Sequence, residues 1–288
     1  LLTFIAFGAS SGAFSMLMHT NWHDIFWSVL LGFLVYGFVL WSEHSRRVTE
    51  MLEPIAALIS ALCASAISLF DPSINISMVV LSSIIAFIPG LSLTVGLSEL
   101  AARHLISGTA RIMDSIMVLF KLYFGAVLGM ALGELFWGKV TPLLLSPPPI
   151  SISWLAITIL SMSLVVLFKA RLKDAPWGIL AGYIAYTVSI WASSYLGTAL
   201  GAFFGAFALG IYSNLFSRIM NLPSSIVRLL GLVVLVPGSK VYIGLNNLVS
   251  EHYMLANVDI GSQAFLIFMS LVAGIIFSNV AISHRKTL

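Results

Sequence analysis

Charged side chains are scarce: lysine and arginine together number 14, aspartate and glutamate 11, and all four make up 9% of 288 residues, against about 25% in ordinary soluble domains. A chain so poor in charge cannot clothe a globular surface with ionic groups. Cysteine occurs once, as Cys63 within an apolar tract, so a disulfide framework is excluded and the thiol reads as a small core residue. No stretch has the form G-x-x-x-x-G-K-[ST], so the chain lacks a phosphate-cradling loop and with it an ATP-driven motor. Strict polar-apolar alternation is also missing, which removes a membrane β-barrel. The few charges form no basic face, so nucleic acid is not an expected partner. Metal and cofactor are not expected either: His19 and His23 share i,i+4 spacing, but only Asp24 stands close to them in sequence.

What is present is hydrophobic sequence, 59% of the residues, with a mean hydropathy of +1.04. This predicts an all-α, polytopic membrane bundle. Reading apolar tracts against charges, proline and glycine gives about ten spans: roughly 1–18, 24–41, 51–70, 74–105, 108–138, 151–168, 175–193, 196–217, 223–253 and 260–282. Two of these tracts are too long for one straight crossing. About thirty residues at about 1.5 Å each would extend about 45 Å, against a hydrocarbon core of about 30 Å.

Charge placement supports the count. Arg46, Arg47, Arg103, Arg111, Lys169, Arg171, Lys173, Arg218, Arg228, Arg285 and Lys286 all fall on one side of a ten-span chain, and the opposite turns hold only Lys139. The basic side is predicted to be cytoplasmic, which puts the protein in the cell (inner) membrane with both ends of this chain inside. Every tryptophan falls near a predicted span end, as interfacial belts require. The opening LLTFIAFGASSG has neither methionine nor a basic leader region, so the sequence is expected to be a fragment of a longer protein whose first span starts here.

Two tracts carry Pro-Gly in matching places. Ile88 to Leu100 reads IPGLSLTVGLSEL and Val236 to Leu248 reads VPGSKVYIGLNNL, with Gly96 matching Gly244, Leu97 matching Leu245 and Leu100 matching Leu248. Pro237 stands 148 residues after Pro89, and the proline-rich stretch LLLSPPPIS lies between them. The expected organisation is a first five-helix repeat over 1–138, a stiff linker over 139–150 and a second five-helix repeat over 151–288. Five is odd, so the second repeat would enter from the opposite side and be inverted relative to the first. Proline and glycine interrupt a helix, and the freed backbone groups must be buried in protein or line a wet cavity. A new helix N-terminus after each break favours a carboxylate. The candidate substrate residues are therefore Pro89, Gly90, Ser92 and Thr94 at the first break, and Pro237, Gly238, Ser239, Lys240 and Tyr242 at the second.

Buried charge adds three residues. SGTARIMDSIMVLFKLYFG places Asp114 one turn beyond Arg111, and Lys121 seven residues further on the same face, near mid-membrane. Lys121 has no acid one turn away in its own helix, so its partner must be another helix or a ligand. Asp114 is read either as the i+3 partner of Arg111 or as a proton carrier. Glu99 is read either as a proton-exchanging carboxylate or as a solvated residue at the helix end, and Glu134 as interfacial. Gly125, Gly129 and Gly133, and Gly197, Gly201 and Gly205, recur every four residues and are read as packing seams. Gly8-Ala9-Ser10-Ser11-Gly12 fits G-x-S-x-G, but a nucleophile elbow needs a strand-turn-helix setting that an apolar span lacks.

ISGTARIMDSIMVLFKLYFGAVLGMALG resembles the segment after the Pro-Gly break in the first membrane half of the threonine/serine exporter (ThrE) family, and NLPSSIVRLLGLVVLVPGSKVYIGLNNL resembles its counterpart in the second half. The split YjjP/YjjB exporter is a related arrangement. The resemblance implies a non-enzymatic, proton-driven exporter of threonine, serine or small carboxylates, with lipid, protons and solute as partners and a homo-oligomer allowed. An α-carboxylate would suit Lys121, Lys240 and the two half-helix N-termini, with Asp114 or Glu99 exchanging the proton. Alternatives are a channel of the same fold, an intramembrane serine hydrolase acting through Ser10, and a non-catalytic scaffold.

Overall fold

The computed structural model describes residues 1–138, 145–146, 148–149, 151–235 and 259–282. Among these, every regular element is helical: α1 (Leu2–Leu17), α2 (Trp22–Ser42), α3 (Arg46–Glu50), α4 (Leu52–Ile67), α5 (Ile76–Ser83), a 3-10 turn at Ile85–Phe87, α6 (Gly90–Ala101), α7 (Leu105–Trp137), α8 (Ile152–Leu167), a second 3-10 turn at Leu172–Asp174, α9 (Ala175–Leu196), α10 (Thr198–Met220), α11 (Ser225–Leu235) and α12 (Asp259–Ala281). The second Pro-Gly site, with Pro237, Gly238, Ser239, Lys240 and Tyr242, lies outside the described residues, as does most of the 139–150 linker.

A helix stands on each of the predicted apolar tracts. Four of them, α2, α7, α9 and α10, are long and apolar enough to cross a membrane, and the bent pair at the first break makes up to five. Helices α1, α4, α8 and α11 are apolar but shorter. The described residues thus form a helical membrane bundle.

Local signals explain where helices start and stop. Asn21 and Asp24 form a reciprocal capping box at the head of α2. Asn75 caps α5 by accepting from the Met78 amide. Asn221, in the left-handed region, ends α10 just ahead of Pro223.

The chain packs as two compact units, each discontinuous in sequence: Leu1–Ile88 with Met117–Leu167, and Pro89–Ile116 with Phe168–Leu288. These are units of packing, whereas the predicted repeats are units of sequence. In the first unit α1 is central, packing against α2, α5 and α8, with α2 and α5 also touching α4. In the second, α10 packs between α9 and α12, α11 lies against α9 and α10, and α6 docks on α12 and α11.

Glycine seams hold both units. A Cβ on Gly125 would overlap the Pro54 carbonyl oxygen, one on Gly129 the Leu58 carbonyl oxygen, and one on Gly133 the Ser65 side chain. Glycine therefore lets α7 lie directly on the α4 backbone. Contact positions rise together along the two helices, so the pair runs parallel, as a third and a fifth crossing would. In the second unit a Cβ on Gly205 would stand 2.9 Å from the Ala185 carbonyl oxygen, and one on Gly201 would overlap Ser193. Gly197 departs from the seam reading. Its φ is +85° with open space around it, so it makes the turn between α9 and α10.

One correspondence links the two halves of the sequence. Burial classes along 27–42 of α2 and 177–192 of α9 agree position for position at an offset of 150. Asp24 and Asp174, Trp27 and Trp177, Leu30 and Leu180, Gly32 and Gly182, Tyr36 and Tyr186, and Trp41 and Trp191 match in identity at that offset. Helices α1 and α8 have the same offset at both ends.

Candidate functional site

The first Pro-Gly site interrupts the helix as expected, although the interruption is longer than two residues. Helix α5 stops at Ser83, the 3-10 turn Ile85–Phe87 follows, and Pro89 precedes a new helix beginning at Gly90. The two pieces of the tract meet at 53°. Proline lacks an amide hydrogen and its ring clashes with the preceding turn, so the upstream helix cannot run through it.

The head of α6 has no side-chain cap and no acidic residue in its first turn. Its free amides and positive dipole end thus remain available to an anion. Gly90 is buried and Leu91 packs against the core of α9 to α12, which holds this end in protein. Ser92 is half-buried and has no hydrogen-bond partner among the described residues. Thr94 is 1% exposed and its hydroxyl donates to the Gly90 carbonyl at 3.0 Å, which leaves its oxygen free only to accept.

Charge pairing also differs from the i+3 reading. Arg111 Nη2 lies 3.1 Å from Glu99 Oε1, across the turn between α6 and α7, and Asp114 is exposed without an ion-pair partner among the described residues. The turn is tight because a Cβ on Gly108 would stand 2.9 Å from the Gly96 carbonyl oxygen. Glu99 is therefore paired, with its side chain still 24% exposed. One carboxylate oxygen holds Arg111, and the other is buried without a hydrogen bond.

Lys121, in the first unit, does find its partner on another helix. Its Nζ is 3.9 Å from Glu53 Oε2, in the first turn of α4, which is a charge contact too long for a hydrogen bond. The side chains are 40% and 24% exposed respectively, so neither is sealed in the core. The reading of the sequence passed over Glu53. Its signal was the position of an acid at the start of an apolar helix, beside Pro54, where it reads first as helix capping.

At the far end of the first unit, Asp71 gathers three side chains. Burial pushes its carboxyl up, but hydrogen bonds from Ser73, His23 and Trp27 outweigh that and hold it at about 2. His23 is thus engaged with an acid rather than with His19. The folded value lies below the ordinary 3.8, so the stabilisation is full above about pH 4 and is lost as pH falls through about 2. Asp71→Asn is expected to lower the melting temperature at neutral pH. The gap from the parent protein should close as the pH is taken down toward 3 and below.

Ser10 and Ser11 lie inside α1, buried, both donating to the Phe7 carbonyl at 2.8 and 3.0 Å. The run Gly8 to Gly12 is continuous helix, so it does not form the sharp strand-to-helix turn of a nucleophile elbow.

Long apolar helices, one span interrupted at Pro-Gly and ion pairs set within apolar helices together define a polytopic helical membrane protein. The family model for threonine/serine exporters (ThrE) matches residues 1–133, and the model "Threonine/Serine exporter, ThrE" matches 153–281. The chain belongs to the threonine/serine exporter family. Among curated proteins it is similar to pheromone-regulated membrane protein 10 of Saccharomyces cerevisiae, 27% identical over 69% of this chain and 54% of that protein. The protein of the same name in Eremothecium gossypii is 27% identical over 68% of this chain and 27% of its own length. An uncharacterized protein of Schizosaccharomyces pombe is 25% identical over 82% of this chain and 30% of its own length. The chain thus spans about half or less of the curated relatives it matches. No solved structure matches it.

Proposed function

We propose that the chain is a secondary active exporter of threonine, serine or a similarly small carboxylate-bearing solute, driven by the proton gradient across the cell membrane and working by alternating access. The observation that carries this reading is the interruption at Pro89-Gly90. It leaves an uncapped helix head, held in protein, within a chain matched along most of its length by exporter family models. The solute carboxylate takes the free amides of α6 with Ser92, and the second Pro-Gly segment, with Lys240, serves the same role in the other half. In the first unit Lys121, held by Glu53 between turnovers, is a separate carboxylate contact on the path of the solute. The offset of 150 between α2 and α9 supports two homologous five-span halves, inverted because five is odd.

Glu99 is the preferred proton carrier. Protonation would release Arg111, coupling a local charge change to movement of the α6–α7 turn. The test is threonine transport in proteoliposomes under an imposed pH step. Glu99→Gln is expected to abolish pH-driven accumulation while leaving exchange down a threonine gradient measurable, and Asp114→Asn to have the smaller effect. A channel would never accumulate threonine against its gradient, and unimpaired pH-driven transport in Glu99→Gln would remove Glu99 from the mechanism.

A further inference from the structure

The first unit contains a cavity of about 210 Å³ at the end of α4 remote from Arg46 and Arg47. Its lining includes Ser65 of α4 and Ser68 just after it, Asn75 and Ser77 at the head of α5, and Met130 and Glu134 of α7. None of these residues belongs to the Pro-Gly site. At about 30 Å³ for each water, the space suits roughly seven non-hydrogen atoms, the size of a small amino acid.

The free groups on its walls are of two kinds. Glu134 is exposed and has no ion-pair or hydrogen-bond partner among the described residues. Ser65 is 6% exposed, and its hydroxyl lines the cavity without a hydrogen-bond partner among those residues. The Asn75 side-chain oxygen is occupied in capping Met78, which leaves the first two amides of α5, those of Ile76 and Ser77, without a partner. The Ser68 hydroxyl donates to the Ser65 carbonyl and that of Ser77 to Met130 Sδ. One wall therefore offers a carboxylate and the Ser65 hydroxyl, and another offers the positive end of a helix. An anion alone would be repelled by Glu134, and a simple cation would leave the amides unused.

We infer that this cavity binds a small zwitterion, an α-amino acid whose ammonium meets Glu134 and Ser65 and whose carboxylate meets the amides of Ile76 and Ser77. It is a site separate from the one at Pro89-Gly90. It rests on the exporter reading for the choice of solute, and through the charge-derived orientation it would be the last station before release outside.

The test uses the full chain in proteoliposomes, with Cys63→Ser to remove the native thiol and Ser77→Cys to place a reporter in the cavity wall. A thiol reagent labels the reporter with and without L-threonine, and N-acetyl-L-threonine, which lacks the ammonium, serves as control. Threonine is expected to slow labelling and N-acetylthreonine not to. Adding Glu134→Gln should raise the threonine concentration needed for protection at least about tenfold, as for a lost hydrogen bond to a charged group. Titration calorimetry on Glu134→Gln alone, whose exposed position spares the fold, reads the same loss independently of the cysteine pair. Labelling indifferent to threonine, or protection unchanged by Glu134→Gln, overturns the site. If transport persists while protection is absent, the cavity assignment fails and the exporter reading stands. If protection is present in a protein that transports no threonine, the reverse holds.

Discussion

Lys121→Ala is expected to lower threonine counterflow at least about tenfold, equivalent to ~1.4 kcal/mol of lost binding to the carboxylate. Its effect on folding should be smaller, because the Lys121–Glu53 contact is long and both side chains are partly exposed. The informative variant is Glu53→Gln. If Lys121 alternates between Glu53 and the solute, removing the competing charge makes the solute bind more tightly and leave more slowly, so apparent KM and turnover should fall together. A Glu53→Gln protein whose KM rises would rule out the competition. Counterflow at parental level in Lys121→Ala would leave Lys121 as a structural cation alone.

Gly129→Val should cost the fold most. Its Cβ would overlap the Leu58 carbonyl oxygen and press on Ala61, so α7 would have to lift from the α4 backbone. Opposing this is the gain of about 0.5 kcal/mol or less that replacing glycine by valine brings in a helix interior. Overpacking against backbone costs about 1–3 kcal/mol or more and wins. Gly37 in α2 is the control. A Cβ there meets no atom within 4 Å, so Gly37→Ala should raise stability slightly. Melting temperature and the monodisperse fraction on size-exclusion chromatography read both effects. A Gly129→Val protein as stable as its parent would mean that the α4–α7 seam is not close-packed.

Legibility varied with the range of the interaction. The interruption at Pro89-Gly90 was readable because proline acts on its own turn of helix. The seam at Gly125, Gly129 and Gly133 was readable because three gaps on one helical face admit few uses in lipid. The partners of Arg111 and Lys121 were not, since Glu99 and Glu53 lie on other helices and nothing local distinguishes them from Asp114. The bond from the Thr94 hydroxyl to the Gly90 carbonyl, four residues back in the same helix, was equally unmarked in the sequence. The identities between α2 and α9 were present in the sequence all along, but they are spaced too widely to stand out without the burial pattern laid beside them.

Scarcity of charge, the length of the apolar tracts and the two Pro-Gly sites by themselves determined that this protein is a helical membrane bundle with an interrupted span, because solvation and backbone hydrogen bonding act residue by residue. Which acid holds which base, that Gly197 turns rather than packs, and that Ser65 of α4 shares a cavity with Glu134 were decided only by tertiary structure. Those outcomes depend on how helices distant in sequence come to lie side by side, and that arrangement is a property of the packed chain rather than of any one segment.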